Sequence, residues 1–390
     1  MRLSMNTRYA VIHASFWGAY GSLWAFIALV LEYNGFASAQ VGVVTSCATL
    51  LSVFLSPAVS SFLDARPGLE NRHGAMALLT LAAALCLLVW LVPLPRPFVL
   101  GACFALIGAF LSSTPPFQNA MAMDANRCGI PVVYGFCRGV GSVSYAAAVL
   151  LLGFVLERHA PTLLLPVFAA LTACGLLAMS GFRLPERPDE AADRPAEHRS
   201  IAAVLRSHPR FALTLLGCMF FFLTHTISNT YMNALVGKAG GTASAVGTSL
   251  AISAVLELPA MTLVSRLQKR FSPGFFLRFA AGAEVVKFLI FYLARSMPLI
   301  YLGHCMQFFQ FAAYAPATVY YVAAALPERE QLKGQSLIYV AGSGLGGALG
   351  NLLGGRLLDR SGIQAALLLG TVSAAASLLT FCLSTREDSR

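Results

Sequence analysis

The sequence predicts an all-α polytopic membrane protein with twelve transmembrane helices in two six-helix bundles. Three observations carry that prediction. Apolar stretches, each about 17–25 residues long, follow one another from Tyr9 to Leu383, the length a helix needs to cross a bilayer. Hydrophobic residues make up 57% of the chain and charged residues 11%, against roughly 25% charged in soluble domains. A single long hydrophilic stretch near the middle divides the apolar runs evenly. Hydrocarbon offers the backbone no hydrogen-bond partners, so runs of this length must be helical.

The first span, 9–32, follows Arg2 and Arg8 but continues through bulky residues without a cleavage signature, so it reads as an uncleaved helix. Spans at 38–60, 74–94, 98–120 and 137–156 come next, the last opening near an arginine and rich in glycine and serine. The span at 162–181 completes the first six. The second six are read at 209–235, 243–263, 275–294, 298–323, 334–355 and 363–383. Between the sets, RLPERPDEAADRPAEHRS mixes proline with charges of both signs and reads as a flexible linker. The predicted units are residues 1–182, a cytoplasmic linker at 183–208, and 209–390.

The net charge of +10 does not indicate nucleic acid, because its distribution follows the membrane. With the N-terminus inside, about 19 Lys and Arg fall on the inner side. Arg96, Arg158, Lys238, Arg295, Arg356 and Arg360 fall on the outer side, leaving Arg138 and Lys287 embedded. That asymmetry predicts two cytoplasmic termini in a plasma membrane or bacterial inner membrane. The run RLQKRFS at 266–272 is an orientation signal that anionic lipid can attract. The nine cysteines lack a close-spaced ligand pattern, so neither zinc nor a disulfide framework is implied. There is no GxxxxGK[ST] stretch, and no metal-ligand or nucleophile–base arrangement suggests an enzyme.

Small residues mark the expected helix contacts, in GVGSVSYAAA at 139–148 and AGSGLGGALGNLLGG at 341–355. In the second, Gly342, Gly346 and Gly350 share one face, suited to static packing or to sliding. GSGLGG lies in an apolar span without the strand–turn–helix setting of a dinucleotide site, so packing is its better explanation.

Polar residues inside the spans are the functional candidates. Glu257 sits near the middle of the eighth span, where it protonates, binds a solute hydroxyl, or rests in a structural salt bridge. Pro259 follows it and can distort the helix, freeing a carbonyl. Glu284 and Lys287, three apart in the ninth span, are placed to pair, either structurally or as a pair broken by protonation. Arg138 either offers its fork of donors to solute or snorkels to headgroups. Asp124, just past span four, either pairs with Arg138 or belongs to the loop with Arg127. Gln118 and Asn119 are neutral ligand candidates. His225, Asn229 and Asn233 form a polar stripe along span seven, and His304 supplies a second imidazole. Phe16, Tyr20, Trp24 and Phe311 can present ring faces to a sugar or aromatic solute, or simply fill the core. Glu32 is expected at the external interface.

Four segments resemble the major facilitator superfamily, and within it the branch of the lactose permease and related proton-linked oligosaccharide, nucleoside and phenylpropionate transporters. They are YGFCRGVGSVSYA at 134–146, AVLELPA at 254–260, LGHCMQFFQFAAY at 302–314 and a degraded acidic-basic loop, SSFLDARPG, at 60–68. The likeness covers essentially the full chain. It implies that Arg138 coordinates solute, that Glu257 is the embedded glutamate of the eighth helix, and that Lys287 stands where the branch has an arginine. Asp64 and Arg66 would latch the inward side. One departure matters: His304 is followed three residues later by Gln307 where the lactose permease has a glutamate tied to proton transfer. Neither Gln307 nor Gln310 titrates, so both become solute-binding candidates and the proton must travel elsewhere, if it travels at all.

The expectation is a secondary transporter working by alternating access, with proton-coupled uptake of a sugar or nucleoside and Glu257 as leading acid. Transport of an aromatic or other organic acid is the alternative, for which Arg138 and Lys287 supply countercharge. Drug efflux and a nontransporting sensor rank lower. No cofactor is expected beyond the proton as coupling ion, and one monomer can hold the whole pathway.

Overall fold

Helices occupy the apolar runs, because each run satisfies its own backbone and turns its bulky side chains outward. In the computed structural model, residues 4–66, 68–92, 97–185, 201–267 and 270–385 are described, and they contain no strand. The chain divides into two compact units, Met1–Glu190 and Ala191–Arg390. Most of the hydrophilic stretch, residues 186–200, lies outside the described residues, as do Arg96 and residues 268 and 269 of the basic run.

The first unit opens with α1 (Met5–Leu23), whose Ser4 side chain caps it by accepting from the Thr7 amide at 3.1 Å. A 3-10 turn at Trp24–Phe26 leads into α2 (Ile27–Tyr33). Then come α3 (Ser38–Asp64), α4 (Asn71–Leu91), α5 (Pro97–Ser113), α6 (Pro115–Arg127), α7 (Tyr134–Val155) and α8 (Leu164–Ser180). Proline opens α5 and α6, where its missing N–H is no loss and its fixed φ favours the first turn. α1 packs against α7 and α8, α3 against α5, and α4 against α5 and α8. Small residues allow the α1–α7 approach: a Cβ on Gly21 would come within 3.0 Å of the Tyr145 ring, and Ser144 donates to the Ala14 carbonyl at 2.7 Å.

The second unit begins with α9 (Ile201–Ser207), so the predicted linker ends in a short helix before α10 (Pro209–Thr230). It continues with α11 (Met232–Lys238), α12 (Ala243–Leu267), α13 (Pro273–Leu293), α14 (Met297–Cys305) and α15 (Phe311–Ala325). α16 (Glu328–Tyr339) runs through a π-helical segment, Val340–Gly346, into α17 (Gly347–Ser361). Gly362, at φ +76°, makes the sharp turn into α18 (Ile363–Ser384). α10 packs on α18, α17 and the π segment, and α13 packs on α18 and α15. Phe211, Phe221, Phe276, Tyr314, Tyr321 and Phe381 share one apolar core. Within it Phe221 and Tyr314 stack with centroids 4.0 Å apart. Arg278 ties α13 to the end of α18, donating to the Thr385 carbonyl at 2.9 Å and its hydroxyl at 2.8 Å.

By length and hydropathy, nine described helical runs can cross a membrane, or ten if the bent pair Met232–Lys238 and Ala243–Glu257 makes one span. Twelve spans were expected, and the shortfall has local causes. α13 is long enough, but it carries Arg278, Glu284 and Lys287 among its 21 residues. The expected span 298–323 is not continuous: a 3-10 turn at Met306–Phe308 and the irregular backbone at Gln310 separate α14 from α15. The expected span 209–235 breaks at Tyr231, and α11 and α12 meet at 116°. In contrast, 98–120 extends to Arg127 as a 31-residue run, placing Asp124 on that helix and not in a loop beyond it. The protein is thus an all-α, multi-span membrane protein. Phe54, Phe98 and Leu177 project large apolar surface outward, as lipid contact requires.

The glycine stripe at 342–350 packs on α10. A Cβ on Gly342 would meet the Phe222 ring at 2.8 Å, and one on Gly346 or Gly350 would overlap the carbonyl of Met219 or Leu223. The obstacles at the last two are backbone atoms, which cannot rotate aside. Gly346→Val should therefore cost about 1–3 kcal/mol or more from overpacking. The expected result is a lower melting temperature of the detergent-solubilised protein, whereas the same exchange at Leu345, which is exposed, should leave it near that of the parent.

Candidate functional site

In the second unit an ammonium group is buried among polar side chains drawn from four elements. Lys287, on α13, is 2% exposed, and its Nζ donates to Gln307 Oε1 at 3.1 Å. Gln307 stands in the 3-10 turn that interrupts the helix between α14 and α15, so the break carries an acceptor to the lysine. The Phe291 ring lies 5.8 Å from the same ammonium. His304, at the end of α14, contacts that ring at 5.0 Å. Its Nδ1 is 2.9 Å from Ser253 Oγ on α12, while its Nε2 has no hydrogen-bond partner among the described residues.

Glu284 lies one turn before Lys287 and is wholly buried. The expected pairing of these two does not form. The ammonium turns to Gln307, and neither Glu284 carboxylate oxygen has a hydrogen-bond partner among the described residues. Lys287 nevertheless remains within coulombic reach of Glu284, His225 and His304. His225, on α10, stacks on Phe311 at 4.8 Å and lies 3.4 Å, ring Nδ1 to amide Nε2, from Gln310. The break at Gln310 thus serves His225 as the break at Gln307 serves Lys287.

The predicted stripe of His225, Asn229 and Asn233 is interrupted. Asn229 is exposed and folds back, donating to the His225 carbonyl at 2.8 Å, and Asn233 belongs to α11 beyond the break at Tyr231. Glu257 lies half-buried on α12, in contrast to the complete burial of Glu284.

In the first unit the cation is Arg138 on α7. Its guanidinium lies 4.1 Å from the Trp17 ring of α1 and donates to Ser142 Oγ at 2.8 Å. One turn earlier on α7, Tyr134 donates to Asn119 Oδ1 at 3.1 Å. Gln118 is 1% exposed; its backbone carbonyl accepts from the Tyr9 hydroxyl at 2.8 Å, while its side-chain amide has no partner among the described residues. Of the two partners considered for Asp124, it takes Arg127 at 3.8 Å, and Asn71 donates to it at 2.7 Å. Tyr20 joins Phe16 and Trp17 in an aromatic cluster at 6.3 and 5.6 Å. Trp24 instead packs directly on the backbone of Gly108 in α5. Glu32 is half-buried near the end of α2.

Arg66 stacks over Phe62 at 3.6 Å, and Asp64 ends α3 in an exposed position. Among the described residues no group of three His, Cys, Asp or Glu could hold a metal. His13, Trp17 and Ser253 were missed from the sequence. His13 and Trp17 stand four apart on α1, the spacing that also marks His225 and Asn229.

A family model described as "MFS_1 like family" matches residues 6–369. The maltose permease of Geobacillus stearothermophilus is 26% identical over 377 residues, covering 95% of this chain and 92% of the permease. The uncharacterized transporter YwbF of Bacillus subtilis (strain 168) is 22% identical, covering 100% of this chain and 96% of its own. Among solved structures, that of the nucleoside transporter NupG superposes with a TM-score of 0.81 at 16% identity and covers all of both chains. The human organic anion transporter MFSD10 gives 0.66 at 17% identity, covering 97% of this chain and 98% of its own.

Gln307→Leu removes the acceptor of a buried ammonium and should destabilise the protein by about 1.5–3 kcal/mol. Adding Lys287→Met should recover much of that loss, because the remaining group no longer needs an acceptor. Melting temperatures of the single and double variants read this directly.

Proposed function

The chain belongs to the MFS_1 like family, as a polytopic membrane transporter of the major facilitator superfamily, and we propose that it takes up a neutral sugar or nucleoside together with a proton. It is a secondary transporter, of a family and fold whose members move solutes and do not catalyse reactions. In this reading all twelve expected spans cross the bilayer, including charged α13 and the broken α14–α15. The halves at 1–182 and 209–390, joined by a cytoplasmic linker at 183–208, alternate access to solute near the midplane. Both termini face the cytoplasm in a plasma or bacterial inner membrane, and a monomer suffices.

The observation that carries the proton is Glu284: a fully buried carboxyl without a hydrogen-bond partner among the described residues, one turn from a buried ammonium. An ionised carboxylate is expensive in such surroundings, and proton uptake removes that charge. Deprotonation would favour a rearrangement that draws Lys287 from Gln307 toward Glu284. A helix interrupted at Gln307 and Gln310 permits such a shift between two arrangements. Glu257, the acid favoured by resemblance, becomes the second candidate, and His225, His304 and Asp124 follow it. The candidate solute ligands are Arg138, Gln118, Asn119 and Tyr20 in the first unit and Gln307, Gln310, Phe311, Asn229 and Asn233 in the second. Trp24, already packed on Gly108, would support the first set. Asp64 and Arg66 would gate the cytoplasmic side.

The likeness to a maltose permease supports a sugar, and that to the NupG fold supports a nucleoside. An aromatic or other organic acid is the second reading, favoured by the two embedded cations, Arg138 and Lys287.

In proteoliposomes, maltose or uridine should drive proton entry in the parent. Glu284→Gln should abolish that flux while leaving solute exchange, and Glu257→Gln should reduce it less. Uptake without proton movement would remove proton coupling, and movement of 3-phenylpropionate alone would establish the organic-acid reading.

A further inference from the structure

Among the buried polar atoms of the first unit without a hydrogen-bond partner among the described residues are both ring nitrogens of His13, Trp17 Nε1, and the nitrogen and oxygen of the Gln118 side-chain amide; Thr172 Oγ1 and Arg72 Nε, the latter ion-paired with Glu70, are the others. His13 and Trp17 share one face of α1 on successive turns, and Gln118 is tied to that face through its backbone carbonyl. Tyr9, one turn before His13, touches its ring at 4.7 Å and donates to the Gln118 backbone carbonyl, tying α6 to this face. Gly141 of α7 lies against both: its Cβ would be 2.6 Å from Trp17 Cδ1 and 3.3 Å from the His13 carbonyl. Tyr134 and Arg138 close the cluster from α7.

A buried polar atom left unbonded costs stability, so apolar residues at these positions would make a more stable bundle. Their chemistry indicates what they await. Trp17 Nε1 only donates, the Gln118 amide both donates and accepts, and a neutral imidazole donates at one nitrogen and accepts at the other. A carboxylate would call for donors alone and a cation for acceptors alone. A hydroxyl both donates and accepts, and several hydroxyls on one ring match this mixed set. Arg138, held by Ser142 and the Trp17 face, keeps further N–H donors for the same hydroxyls.

We propose that His13, Trp17 and Gln118 form a subsite that reads the hydroxyls of a neutral polyhydroxylated solute and so sets the specificity of transport. The proposal rests on the reading of the chain as a sugar or nucleoside transporter. It adds a named recognition surface on α1 and α6, with His13 and Trp17 as new specificity residues.

The test uses the full chain in proteoliposomes, with Trp17→Phe, Gln118→Met and His13→Phe, each close to its parent side chain in shape. Maltose and uridine are the probes, read by uptake kinetics and by the solute-induced rise in melting temperature. Each variant should raise KM for the transported probe about 5–10-fold, the loss of roughly one hydrogen bond, with kcat near the parent's and a solute-free melting temperature at or above the parent's. Among monodeoxy analogues of that probe, at least one should lose affinity for the parent but not for one of the variants. Unchanged KM in Trp17→Phe and Gln118→Met overturns the subsite, even if His13→Phe fails to fold. So does a lowered solute-free melting temperature with unchanged KM, which would mark the atoms as holders of internal water. A parent that neither transports nor is stabilised by maltose or uridine overturns it as well. Neutral-solute transport without proton movement would instead remove the coupling mechanism alone and leave this subsite standing.

Discussion

A lysine ammonium held inside an apolar bundle dictates much of the second unit. Lys287 cannot reach water, so an acceptor must be brought to it, and Gln307 is that acceptor. A continuous helix through 298–323 would present its side chains at fixed helical steps. The chain interrupts this run at 306–310, and the interruption serves two buried groups, Lys287 through Gln307 and His225 through Gln310. In hydrocarbon such irregular backbone survives only where protein surrounds it. Gln307, Gln310 and their neighbours Ala312 and Ala313 are buried. The break is part of the polar cluster, because backbone geometry and charge burial are solved together.

The two units manage polarity differently. In the second, the groups are titratable and bonded in part: an acid without partners, an ammonium with one, and two imidazoles with one each. In the first, the unbonded atoms among the described residues include those of His13, Trp17 and Gln118, and Arg138 is held by Ser142. One collection suits charge movement, and the other suits recognition of neutral groups. A symporter needs both functions, linked through one conformational equilibrium.

Most of the architecture was legible because apolar run length is enforced by the bilayer. The runs at 38–60, 74–94 and 363–383 lie within observed helices to within a few residues. Legibility failed where charge or backbone breaks intrude. Nothing in the apolar pattern of 298–323 announces the interruption at Met306, and a uniform period hid the break at Tyr231. Glu284 and Lys287 were visible as candidates, but three-residue spacing allows contact without requiring it, and Gln307 took the lysine. The sequence preferred Glu257 through resemblance, while burial singles out Glu284. His13 stands four residues before Trp17, but on an apolar helix that pair reads equally well as core filling. Only the packing of α7 and α8 against α1 reveals that the His13 nitrogens are buried and left unbonded among the described residues.

The π-helical segment Val340–Gly346 separates two surfaces with different tasks. Before it, Gln331 and Gln335 of α16 donate to backbone carbonyls of the α15 region. At its end and beyond it, Gly346 and Gly350 lie against carbonyls of α10, and Asn351 accepts from Thr230 at 2.7 Å. A π turn accommodates an additional residue in a helix and rotates the turns beyond it by roughly 100°, one residue's step. The segment therefore acts as a spacer in angle, letting one continuous helix clasp α15 at one end and α10 at the other. Removing one residue there would preserve a plausible membrane span in every hydropathy plot, yet swing the glycine face away from its partner. The length of this helix is thereby constrained to the single residue by rotation, although the bilayer alone would tolerate several residues more or less.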